Sequence, residues 1–86
     1  MPEISRFLGI IIRIYHNEHP PAHFHAQYGE FNAEISVESL EVLKGELPRR
    51  VQSLVIEWAV LHRAELRQDW ERARTKQELF PIDPLT

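Results

Sequence analysis

The 86-residue chain contains no cysteine. That absence removes disulfide staples and thiolate metal sites, and leaves His, Asp and Glu as the only candidate metal ligands. No apolar run approaches the roughly 20 residues that a membrane-spanning helix needs, so no membrane association is expected. The opening Met1-Pro2-Glu3-Ile4 lacks the basic start of a signal peptide, which predicts an unexported, cytoplasmic protein. A strong basic footprint is missing as well. Residues 1–47 carry three Lys/Arg against seven Glu, and residues 48–86 carry seven Lys/Arg against six acids. Nucleic-acid binding would therefore have to rely on a small local patch.

What the chain does have is histidine, unevenly placed. Four of its five histidines fall within His16-Asn17-Glu18-His19-Pro20-Pro21-Ala22-His23-Phe24-His25. Imidazole carries protons near neutral pH or ligates metals, and two prolines stiffen the segment that presents it.

The length suits one domain spanning 1–86, with strands within 4–43, a helix over about 48–74 and an extended tail at 79–86. Ile4 to Tyr15, with Ile10-Ile11-Ile12 inside it, reads as one long central strand. His23 to Tyr28 alternates polar with apolar, Gly29-Glu30 suits a two-residue turn, and Phe31, Ala33, Ile35 and Val37 alternate with polar neighbours in the returning strand. The register predicts that Phe24, Ala26, Tyr28, Phe31, Ala33, Ile35 and Val37 share the buried face. Leu40 to Leu43 offers a short fourth strand before Lys44-Gly45. Pro48 opens a helix that no Gly or Pro interrupts before Pro81, with Val51, Leu54, Val55, Trp58, His62, Leu66, Trp70 and Ala73 forming one stripe. The expected fold is α+β: an antiparallel three- or four-stranded sheet with one long helix packed on one face.

His23 and His25, two apart on a strand, share a polar face that Arg13, Glu34 or Ser36 can join. As a catalytic group, His23, His25 and Arg13 would bind an anion or shuttle protons. A metal set would draw on His19, His23 and His25, completed by Glu18 or His62; without a demonstrated fourth ligand, no tightly held ion and no cofactor are expected. His62 lies within the helix stripe near Glu65, as a second binding candidate. Arg49 and Arg50 stand at a helix N-terminus, where the macrodipole disfavours cations, which suggests use in meeting acids or phosphates.

Several of these motifs together carry a family resemblance. Ile4-Ser5-Arg6-Phe7, Gly9 to Arg13, His19-x-Pro21-x-His23-Phe24-His25, Tyr28-Gly29-Glu30, Leu47 to Arg50, and Glu57-Trp58-Ala59-x-Leu61-His62-Arg63 through Trp70 resemble the small bacterial family called domain of unknown function 4160. The departure is Ala22, where that pattern has a second proline. The resemblance implies a component of a toxin-antitoxin-like pair and supplies no catalytic residues. Three readings follow: an interaction protein of such a pair, a small nuclease using His23 or His25 with Arg13 or Arg49, and a histidine-based metal-binding module. The long helix, two tryptophans and the Leu79-Phe80 tail also predict a homodimer or a protein hetero-partner, with the contact near Leu66 and Trp70.

Overall fold

The computed structural model describes residues 3–86; Met1 and Pro2, at which the signal-peptide reading starts, lie outside the described residues. Five strands come first: β1 (Glu3–Phe7), β2 (Ile10–Arg13), β3 (His23–Tyr28), β4 (Phe31–Ser36) and β5 (Val42–Glu46). Two helices follow, α1 (Arg49–Leu61) and α2 (Arg63–Arg74). The strands lie in sequence order, each antiparallel to its neighbours, so β3 is central. The α+β class is as expected, with five strands instead of three or four and two helices instead of one.

The predicted long first strand is in fact a hairpin. Phe7 pairs with Ile10, and both turn residues take positive φ, Leu8 at 52° and Gly9 at 80°. Two positive φ values match the twist of a tight hairpin. A leucine there conceals the turn, because it extends an apolar run while its own side chain stays exposed.

The short strand expected over Leu40 to Leu43 is shifted toward the C-terminus: β5 runs through Lys44 and Gly45 to Glu46. Gly45 has φ +79°, and a Cβ on it would stand 2.1 Å from the Asn32 carbonyl oxygen. Only glycine lets β5 close on β4 here.

The predicted single helix breaks at His62, whose φ of −122° and ψ of 24° are not helical. Its N–H is shared between the Trp58 and Ala59 carbonyls, and the ladder restarts when Leu66 N–H reaches the His62 carbonyl. A straight helix over 48–74 would run about 40 Å, whereas the whole molecule extends only 33 Å. The break lets each half find its own cover. Trp58 of α1 packs on Phe7 and Phe24 on the apolar sheet face. In α2, Trp70 packs on His23, Arg63 donates to the Val37 carbonyl, and Arg67 grips Glu38 through two 2.8 Å hydrogen bonds.

Most of the predicted core is buried: Phe24, Ala26, Ala33, Ile35 and Val37 from the sheet, and Val51, Val55, Trp58, Leu66, Trp70 and Ala73 from the helices. Four positions differ: Leu54 and His62 of the helix stripe are only half-buried, and Tyr28 and Phe31 of the sheet are exposed. Tyr28 and Phe31, 38% and 41% exposed, form the last cross-strand pair before the Gly29-Glu30 turn, where Tyr28 lies against Gly9. The tail folds back along the sheet edge, with Ile82 N–H to the Ile4 carbonyl (2.7 Å) and Trp58 Nε1–H to the Asp83 carbonyl (2.8 Å). Leu66 and Trp70 are buried within their own chain, so neither side chain is itself free for the partner contact expected near them, while Phe80 of the tail stays exposed.

Candidate functional site

Antiparallel pairing sets a row of side chains across the sheet: Glu3 opposite Arg13, Arg13 opposite His25, His25 opposite Glu34, and Glu34 opposite Lys44. Period-two alternation then places His23 beside this row, on the same face as His25. The loop between β2 and β3 brings Glu18 over both imidazoles, and the Pro20–Pro21 peptide bond within it is cis.

His23 is only 6% exposed, covered by the Trp70 ring at 5.1 Å. Its Nδ1 lies 2.8 Å from the Pro21 carbonyl oxygen. A carbonyl can only accept, so Nδ1 carries a proton, and in the neutral ring the lone pair is then on Nε2. That buried Nε2 has no hydrogen-bond partner. It faces Glu18 Oε1 at 3.4 Å and Glu34 Oε1 at 3.8 Å. His25 Nε2–H donates to the same Glu18 oxygen, and the ring stands edge-on to Tyr15 at 4.6 Å. Glu18, His23 and His25 thus offer three donor atoms that lie within 4.8 Å of one another.

The other sequence candidates are placed elsewhere. Arg13 occupies the row opposite His25, hydrogen-bonds Gln27 and is not one of the three converging donors. His19 is exposed on the rim of the groove and is not one of the converging donors. His62 packs on Trp58 at 5.6 Å and donates to Glu65. Arg49 and Arg50 are exposed at the start of α1, and the groove beside Arg49 is lined by Leu47, Gln52, Ser53, Ile56 and Glu57, with no histidine.

Two grooves open directly on the cluster. One of about 370 Å³ is lined by Glu18, His19, Pro21, His23, Glu34 and Lys44, and a second of about 180 Å³ by His25, Asn32, Glu34 and Lys44. Sequence reasoning missed two members of this site. Trp70 reads as core in the stripe, and it is core, yet it also forms the lid over His23. Lys44 reads as lying just past a short strand, and only the pairing of β5 with β4 shows that it stands next to Glu34.

No curated protein and no solved structure matches the chain. The family model described as Domain of unknown function (DUF4160) matches residues 9–71, a span that contains Glu18, His23, His25, Glu34, Lys44 and Trp70. With the site and most of the fold inside that match, the chain belongs to the DUF4160 family.

Proposed function

We propose that this protein is a metal-binding module that holds a divalent transition-metal ion through Glu18 Oε1, His23 Nε2 and His25 Nε2. This goes against the expectation, from sequence, of no tightly held ion. The observation that carries it is the buried, unpartnered Nε2 of His23, whose opposite nitrogen is tied to a backbone carbonyl. Metal-ligating histidines are commonly oriented by such a bond from the second ring nitrogen. Tetrahedral ligands at about 2.1 Å from zinc lie about 3.4 Å apart, and the His23–Glu18 pair already has that separation. The ion would replace the proton between His25 and Glu18, which then move apart. Charge favours the same reading over the nuclease alternative, because two carboxylates, Glu18 and Glu34, face the imidazoles and attract a cation before an anion.

Calorimetric titration of the full chain with Zn²⁺ tests this. One site is expected, weakened at least tenfold in Glu18→Ala, His23→Ala and His25→Ala, and unchanged in His19→Ala and His62→Ala. Absence of binding by the folded wild-type chain refutes it. An interaction role, in a homodimer or a toxin-antitoxin-like pair, is a second reading, favoured by the adjacent exposed Val60 and Leu61 at the end of α1, 55% and 66% exposed. Sedimentation of wild type and Leu61→Glu tests it: a monomer in both cases removes the homodimer.

A further inference from the structure

The residues around the proposed metal site also indicate what the ion would bind. Lys44 lies next to Glu34 in the row across the sheet and lines both grooves that open on the cluster. Among the described residues its ammonium has no ion-pair or hydrogen-bond partner, although Glu34 is its cross-strand neighbour. Gly45 fixes the place of this lysine, because no other residue lets β5 come so close to Asn32. A lysine held at the mouth of a groove and left unpaired is a point charge available to a ligand.

We infer that the site takes an oxyanion, the phosphate or carboxylate group of a small molecule, bound between the metal ion and Lys44. This rests on the metal reading above and adds its ligand class. Without metal, the two carboxylates that face the imidazoles, Glu18 and Glu34, disfavour an anion between them, although Lys44 and, opposite His25, Arg13 stand in the same row. A divalent ion held by Glu18 and the imidazoles offsets both carboxylates and makes the same place attractive to an anion. Three protein ligands also leave a tetrahedral ion with a free position, which an oxyanion oxygen fills. Anion binding is therefore conditional on metal, and the order of binding is fixed by electrostatics.

Cobalt(II) is the probe, because its visible spectrum reports changes in its own coordination. The full-length chain is loaded with Co²⁺ and titrated with inorganic phosphate, and in a parallel arm with acetate. The expected result is a saturable spectral change with at least one of the two anions, and the tighter of them identifies which source of oxyanion the site prefers. Lys44→Ala should weaken that anion about tenfold or more while leaving Co²⁺ affinity within about twofold, and Lys44→Arg should retain it. Failure of Co²⁺ to bind at all refutes the metal reading, and this inference with it. A Co²⁺ complex whose spectrum neither anion changes refutes the inference alone. So does anion affinity that is equal in wild type and Lys44→Ala, or that persists without metal. Circular dichroism of Lys44→Ala, an exposed position, checks that the fold survives.

Discussion

Gly45→Ala is the substitution that most directly couples the fold to the site. An alanine at φ +79° pays the left-handed penalty of about 1 to 2 kcal/mol. Its Cβ would also have to move from 2.1 Å to beyond 3.0 Å from the Asn32 carbonyl oxygen. Backbone on both sides must give way, which loosens the pairing of Ala33 with Gly45 and of Asn32 with Glu46. Losing one or two such hydrogen bonds costs about 0.5 to 1.5 kcal/mol each, so with the backbone penalty the total expected loss is about 1.5 to 5 kcal/mol. Gly29→Ala is the control. It has φ +57° but nothing within 4 Å of the added Cβ, so it carries only the backbone penalty of about 1 to 2 kcal/mol. Urea denaturation of both variants gives the comparison through their midpoints. Equal losses for Gly45→Ala and Gly29→Ala would refute the argument that β5 is seated by a close approach only glycine allows.

Other substitutions test separate parts of the fold. Trp58→Ala removes a fully buried ring that contacts Phe7, Phe24 and His62 and should cost about 3 to 5 kcal/mol by the same denaturation assay. Asp69, fully buried, accepts hydrogen bonds from Arg72 and from the Phe80 N–H; Asp69→Ala should lose about 3 kcal/mol and free the tail, seen as faster hydrogen exchange at the Ile82 N–H that is bonded to the Ile4 carbonyl. The Arg67 guanidinium hydrogen-bonded to Glu38 holds that carboxyl below its ordinary value of 4.5. A depressed carboxyl contributes stability above its unfolded value and loses it as pH falls through the lower folded one. Glu38→Gln should accordingly flatten the acid side of the stability curve below about pH 4.5, an effect that salt diminishes because the pair is exposed.

The parts of the fold legible in the sequence were those governed by local periodicity. The β3–β4 hairpin follows from strict alternation around Gly29-Glu30, and the buried stripe of the helices follows from steps of three and four. What escaped was set by tertiary contacts. Leu8 adopts positive φ in a turn that composition disguises, Gly45 sits inside a strand because β4 approaches it, and the helix breaks at His62 without Gly or Pro because its two halves pack on different surfaces. The same division applies to the site. His23 and His25 share a face by alternation alone, and Glu18 was within reach as a loop residue. The lid over His23 and the place of Lys44 depend on α2 and β5 meeting β3 and β4, a long-range pairing that spacing does not encode.

X-ray absorption at the zinc edge, on the full chain loaded with one equivalent, tests the metal site most directly. The account predicts a first shell of two imidazole nitrogens at about 2.0 to 2.1 Å with oxygens at about 2.0 to 2.2 Å, and loss of one imidazole in His25→Ala. A shell made only of oxygens, or one whose imidazoles persist when His23 and His25 are both replaced, would contradict it.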